Sequence, residues 1–128
     1  AAVKNIEIIE DEGIVGKVAK TGSYFRHKLD MLQDEHPIIG DVRGVGLLLA
    51  LDLVKDRETK ARFAKEDRLG DRLTEKFRTR GFLLRPNGET IDLTPPLCIT
   101  TSEVDEVVGV LDEVIGEAES ELGITRII

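Results

Sequence analysis

Residues 41–54 read DVRGVGLLLALDLV, and the fold class turns on them. The apolar run Leu47-Leu48-Leu49-Ala50-Leu51 is too short to make a helix of its own, so the stretch is predicted to be one long strand. It is apolar on both faces, the pattern of a strand that is interior or covered on both sides. Gly44 and Gly46, just before the run, predict a bulge or a close approach by another backbone. Towards the start, residues 3–35 read as helical. Val18, Phe25, Leu29 and Leu32 fall on one face at spacings of 7, 4 and 3, and Ile6 and Ile9 extend the pattern. Gly13, Gly16 and Gly22 allow a break or kink, and Pro37 closes the region.

On the other side, residues 59–80 read as a second helix with Phe63, Gly70, Leu73 and Phe77 on one face and Leu69 beside them. Arg78 and Arg80 sit in its last turn, where cations suit the helix dipole, and Gly81 is the expected C′ residue. Two short strands follow, Phe82–Arg85 and Glu89–Leu93, joined by the turn residues Pro86-Asn87-Gly88. Pro95-Pro96 blocks further pairing. Thr100-Thr101-Ser102-Glu103 is a capping-box pattern. Val104, Val107, Val108, Leu111, Val114, Ile115, Ala118 and Leu122 then keep a helical period until Gly123. The predicted order is α-β-α-β-β-α. It makes a small α+β two-layer sandwich over residues 1–128, a single domain with helices covering a largely antiparallel sheet.

Composition narrows the function classes. The 128 residues are 41% hydrophobic and 34% charged, enough for a packed core. No apolar run approaches the ~20 residues that span a bilayer, and no signal peptide is expected. A single cysteine, Cys98, excludes a disulfide framework and any CxxC site and fits a reducing, cytoplasmic setting. A net charge of −7 makes nucleic acid and anionic membranes poor partners. The charge is uneven: residues 55–85 carry 11 basic and 6 acidic groups, whereas residues 86–128 carry 1 and 10. The basic stretch reads as a solvated helix of mixed charge, with Glu58–Arg62 and Glu75–Arg78 at helix-neighbour spacings. Aromatics are 4% with no Trp, so stacking platforms for single strands are missing.

Few residues invite chemistry. Gly40-Asp41-Val42-Arg43-Gly44-Val45-Gly46 resembles a phosphate loop in composition, but a cradle needs a helix N-terminus after the glycines. These lead into a strand, so a structural role is expected. His27 and His36 lack partners at ligand spacing, so no metal site is expected and both read as surface or helix-end residues. Cys98, between apolar neighbours, reads as a buried small residue rather than a nucleophile. Ser23, Ser102 and Ser120 lack a nucleophile-elbow context. Asp92 is expected to face away from Ile91 and Leu93, into solvent. Arg85 stands apart: it ends an apolar strand before a tight turn, where a guanidinium can pair bidentately with a carboxylate. On the residues alone that partner is a structural one.

The ordered set of motifs is more specific than any one of them. Val42-Arg43-Gly44-x-Gly46-Leu47, a charged helix and Gly81-x-Leu83-x-Arg85-x-x-Gly88 are followed by Ile91-x-Leu93-x-Pro95-Pro96-Leu97-x-Ile99-Thr100 and Glu103-Val104-Asp105. This resembles the C-terminal small domain of class III, pyridoxal-phosphate-dependent aminotransferases, most closely the branch acting on ω-amino acids and amines with pyruvate as acceptor. The likeness runs from about Val3 to Leu122. It implies a much longer enzyme, a homodimer. Its large domain binds the pyridoxal phosphate and supplies the lysine that holds it, so no catalytic or cofactor-binding residue is expected here. It implies that Arg85 matches the mobile arginine that binds the α-carboxylate of small amino and keto acids. Arg43 falls on a family motif and reads as structural.

Two other readings stand beside this one. A β-α-β-β-α run is close to the ferredoxin-like plan, so the chain also reads as a stand-alone binding module in which Arg85 holds a small carboxylate. Such a module wants a further strand after the last helix, where only Ile124 to Ile128 is available. A third reading expects an apolar face, covered by the large domain in the full enzyme, through which the chain alone dimerises.

Overall fold

The computed structural model describes residues 1–84 and 86–125. Helices α1 (Ala2–Asp11) and α2 (Ile14–Glu35) lead into strands β1 (Ile39–Val45) and β2 (Leu48–Leu53). A short 3₁₀ turn (Lys65–Asp67), helix α3 (Leu69–Thr79), strand β3 (Thr90–Leu93) and helix α4 (Thr101–Glu121) follow. The strands form one antiparallel sheet in the order β1-β2-β3. The α+β sandwich expected from the sequence is therefore present, but the element order is α-α-β-β-α-β-α rather than α-β-α-β-β-α. With β1 and β2 joined directly and no helix between them, the sheet also departs from the ferredoxin-like plan.

The stretch 41–54 is two strands of a hairpin, not one long strand. Val45 pairs with Leu48, leaving Gly46 and Leu47 as the turn. Gly46 has a φ of 60°, the conformation that a two-residue hairpin turn asks of glycine. The close backbone approach expected here is found: a Cβ on Gly22 of α2 would lie 2.5 Å from the Gly46 carbonyl oxygen. The register shift falls at Gly40, between Ile39 and Asp41. β2 is buried on one face only. Leu49, Leu51 and Leu53 point inward, whereas Leu48 is exposed and Ala50 and Asp52 are half-buried. The run looked two-sided because Leu48, at the hairpin tip, is apolar without being covered.

Helices line the inner face. From α2 come Phe25, Leu29 and Leu32, from α3 Leu73 and Phe77, from α4 Val104, Leu111, Val114, Ile115 and Ala118. They close on Ile39, Val42, Leu49, Leu51, Ile91 and Leu93. Each Val, Leu, Ile or Phe side chain among them contributes about 1.5–3 kcal/mol on full burial. The predicted face of residues 18–32 is thus confirmed, but its extension is not. The helix breaks at Gly13, and α1 has no buried residue, with Ile6 exposed and Ile9 half-buried.

The helix expected over 59–80 begins only at Leu69. The Asp56 carboxylate accepts the N–H groups of Glu58 (2.8 Å) and Thr59 (3.0 Å), and this local alternative competes with a helix start. Glu58 and Arg62 are consequently not helix neighbours, whereas Arg78–Glu75 is a weak pair at 3.9 Å. The C-terminus of α3 is as expected. Gly81 has φ 81°, its N–H donates to the Arg78 carbonyl (3.0 Å), and the Phe82 N–H donates to the Phe77 carbonyl (2.9 Å), the Schellman arrangement. After that closure, residues 82–84 form no strand. The capping box of α4 is confirmed: the Glu103 N–H donates to Thr100 Oγ1 and the Thr100 N–H to Glu103 Oε2, both at 3.2 Å. Among the described residues no helix is long and apolar enough to cross a membrane.

Candidate functional site

Arg85 itself lies outside the described residues, so its site is built from the segments on either side. Upstream, the Schellman closure holds Phe82, and Phe82 and Leu84 pack against the core as half-buried residues while Leu83 is exposed. Downstream, Asn87 and Thr90 exchange backbone hydrogen bonds of 2.7 and 3.1 Å, and the Leu53 N–H donates to the Glu89 carbonyl (2.8 Å). The turn rests on the first turn of α3, where a Cβ on Gly70 would meet the Gly88 carbonyl oxygen at 3.0 Å. A groove of about 480 Å³ opens beside this segment, lined by Phe25, Phe82, Leu84, Leu93, Pro95 and Val107 with the Asp92 carboxylate at its edge. Asp92 is exposed, as expected for a residue opposite Ile91 and Leu93.

A polar network on the open face of the sheet pins the same turn. Arg62 Nη1 donates to Asp52 Oδ1 and to Glu89 Oε2, each at 3.1 Å. Glu89 Oε1 accepts the Phe63 N–H (2.7 Å), and Thr90 Oγ1 donates to Asp52 Oδ1 (3.2 Å). Burial pushes the Asp52 carboxyl up, but the hydrogen bonds from Arg62 and Thr90 and the charges of Arg62 and Arg43 outweigh it and hold the group below the usual range. Sequence reasoning missed Arg62, Asp52 and Glu89 as a unit because they lie 10 and 27 residues apart. Antiparallel pairing of β2 with β3 sets Asp52 opposite Thr90, beside Glu89, and the loop after β2 returns Arg62 to both.

The other singled-out residues fall elsewhere. Gly40–Gly46 runs from strand into hairpin turn with no helix N-terminus after it, a structural role. Arg43 is exposed, 3.6 Å from Asp41 and 3.7 Å from Asp52. His27 is exposed. His36 caps the end of α2 as expected, but it is fully buried between Glu119 and Asp112 rather than at the surface. Cys98 is exposed, not buried. The Pro pair ends the strand, and the Ile99 N–H closes a turn on the Pro96 carbonyl (3.0 Å). That turn swings the thiol outward and tucks Ile99 against the core. Ser120 donates to the Gly116 carbonyl within its own helix.

Holding pyridoxal phosphate needs a neutral amine, and two of the described lysines, Lys28 and Lys76, are instead favoured as ammonium ions. Lys76 is held as an ammonium, its pKa raised by hydrogen bonding to Glu121 and Glu117 against the opposing effect of burial. Lys28 is raised by Tyr24 and Asp105.

A family model, aminotransferase class-III, matches residues 1–115. This chain belongs to the class III aminotransferase family. The putrescine–pyruvate aminotransferase of Pseudomonas aeruginosa is 38% identical over 108 residues, covering 84% of this chain and 23% of that protein. The crystal structure of the Methanocaldococcus jannaschii adenosylmethionine-8-amino-7-oxononanoate aminotransferase superposes with a TM-score of 0.84 at 36% identity. It covers 92% of this chain and 27% of the other. The ω-transaminase of Pseudomonas jessenii, solved with PMP, gives a TM-score of 0.88 at 31% identity over 95% of this class III chain and 27% of its own. The chain thus spans about a quarter of the length of the aminotransferases it matches.

Proposed function

We propose that this chain works as the C-terminal small domain of a longer class III aminotransferase. The longer enzyme transfers an amino group between an amine or ω-amino acid and a keto acid, using pyridoxal phosphate held mainly by a large domain. The observation that carries this reading is the match itself. It takes in almost the whole of this chain and only a quarter of each relative. The working enzyme is a cytoplasmic homodimer, and the partner of this chain is the large domain of the same polypeptide. Supporting that partner, α1 buries nothing, and Val3, Val15, Val45 and Leu48 are all more than two-thirds exposed (68–86%).

Arg85 binds the α-carboxylate of the amino or keto acid in this reading. The described residues on its two flanks are hydrogen-bonded and packed, and an apolar groove opens beside them. A planar guanidinium accepts a carboxylate through two parallel hydrogen bonds, and holding the substrate there orients the Cα–H bond for proton transfer. An amine without a carboxylate makes no such contact. In the full-length enzyme, Arg85→Ala should therefore lower kcat/KM for carboxylate-bearing substrates about 10- to 100-fold, the worth of ~1.5–3 kcal/mol in charged hydrogen bonds. Simple amines should be nearly unaffected. Equal losses on both classes would remove Arg85 from this role.

A further inference from the structure

Arg62 stands in the loop after β2, and its guanidinium ties the turn after residue 85 to the sheet. Nη1 donates to Asp52 Oδ1, to Glu89 Oε2 and to the Leu53 carbonyl oxygen, each at 3.1 Å. Nη2 donates to Asp52 Oδ2 at 3.3 Å. One planar group therefore holds a side chain of β2, the backbone at the end of that strand and a side chain of the turn. The carboxylates it joins are only 15% and 20% exposed, whereas the Arg62 side chain is 57% exposed. Arg62 thus contributes little packing; it supplies charge and direction.

Glu89 passes that hold on to the turn. Its Oε1 accepts the Phe63 N–H (2.7 Å), and its backbone carbonyl accepts the Leu53 N–H (2.8 Å). The Gly88 carbonyl oxygen beside it rests on α3 at Gly70. Thr90 exchanges backbone hydrogen bonds with Asn87 and donates its hydroxyl to Asp52 Oδ1. Residues 87–90 are therefore held from β2, from the loop after it and from α3. Without the guanidinium, two half-buried carboxylates that now share one nitrogen would repel each other. Arg43, 3.7 Å from Asp52, offsets part of the charge on Asp52. Glu89 gives way more easily, because Asp52 is fixed inside the middle strand and Glu89 stands on a turn.

We propose that Arg62 is a positioning residue for recognition of the substrate carboxylate. By joining Asp52 to Glu89 it sets where the turn 86–90 stands and so, through Pro86, the chain at Arg85. The inference rests on the reading of Arg85 given above. Two parallel hydrogen bonds to a carboxylate demand a fixed direction of approach, and a displacement of about 1 Å at a binding group is enough to cost rate. An amine without a carboxylate does not use that contact. Arg62 therefore bears on the half-reaction of the keto or amino acid and not on that of a simple amine.

The test is made in the full-length enzyme, where ping-pong kinetics separate the two half-reactions. Pyruvate is the carboxylate-bearing probe and propylamine the probe without one. Arg62→Gln should lower kcat/KM for pyruvate about tenfold, mostly through KM, and leave kcat/KM for propylamine within about twofold. The propylamine rate also shows that the variant is folded. Equal losses on the two probes would overturn the proposal. A second measurement combines the variant with Arg85→Ala. A residue that acts through Arg85 costs nothing further once Arg85 is gone, so Arg62→Gln should leave the pyruvate rate of the Arg85→Ala enzyme unchanged. A further loss of about tenfold there would overturn the proposal as well. The two readings fail separately. If Arg85→Ala spares pyruvate, the carboxylate reading falls and this one with it. If Arg85→Ala is selective and Arg62→Gln has no effect, only the positioning role falls.

Discussion

At Gly22 there is no room for a methyl group. The added carbon would lie 2.5 to 2.7 Å from three backbone atoms of Gly46, and backbone cannot rotate away as a side-chain tip can. Gly22→Ala should destabilise the chain by about 1–3 kcal/mol, the usual cost of overpacking, read as a lower urea midpoint with an unchanged m-value. Leu51, in the middle strand and fully buried, should cost about 2–5 kcal/mol on truncation to Ala. Some single residues were legible in the sequence because their reason is local. Gly81 follows a helix end, Thr100 and Glu103 cap a helix, and Asp92 alternates with Ile91 and Leu93. Cys98 is exposed rather than buried because the turn that the Ile99 N–H closes on the Pro96 carbonyl turns it outward, and His36, at the helix end as expected, is buried rather than at the surface. His36 is buried by α4 carboxylates 76 and 83 residues away, and no spacing rule reaches that far.

Between α3 and α4 the basic stretch and the acidic one meet. Lys76 Nζ lies 3.1 Å from Glu117 Oε2 and 2.6 Å from Glu121 Oε1. Arg72 reaches Glu121 at 3.5 Å, and Arg80 pairs with Glu113 (3.2 Å) and with Glu117. Cations at 72, 76 and 80 face carboxylates at 113, 117 and 121, both at a four-residue spacing. That periodicity was visible in the sequence, but pairing it required the knowledge that the helices are neighbours. Lys76 holds Glu117 and Glu121 below the usual carboxylate range by hydrogen bonding, against a smaller upward push from burial. A depressed carboxylate stabilises the fold above its unfolded pKa of ~4 and stops doing so as pH falls through its folded value. Stability should therefore drop on acidification below about pH 4, and by less in a Glu117→Gln/Glu121→Gln variant. These pairs are exposed, so 1 M salt should shrink the difference between the two proteins. The hairpin was read as a single strand for a related reason. Gly44, Gly46 and the leucines match a strand locally, and the turn comes from Gly46 at a φ of 60°, with α2 packed closely against it at Gly22.

For the molecule as a whole, fold class and family were legible before the structure, through the ordered motifs from Val42 to Asp105. The element order was not, because the loop at 55–68 and the closure after α3 depend on side chains reaching back to the backbone. Arg85 is the one site residue to which the sequence points, and it lies outside the described residues, while the Arg62–Asp52–Glu89 network that braces the turn after it joins residues 10 and 27 positions apart, beyond any local pattern. The exposed apolar side chains of α1 and the hairpin tip belong to this scale too. If a large domain covers them, the 128-residue chain alone should self-associate, and Val45→Asp with Leu48→Asp should return it to a monomer by sedimentation. The isolated chain, mixed with pyridoxal phosphate and borohydride, should yield no defined pyridoxyl-lysine by peptide mapping. The central claim is that the activity belongs to a longer polypeptide. It is tested most directly by the size of the native protein, read by immunoblot of source-cell extract with an antibody raised against this chain. The account predicts a band about four times the 14.2 kDa of these 128 residues, as the 27% coverage of the solved relative requires. A band at 14.2 kDa would contradict it.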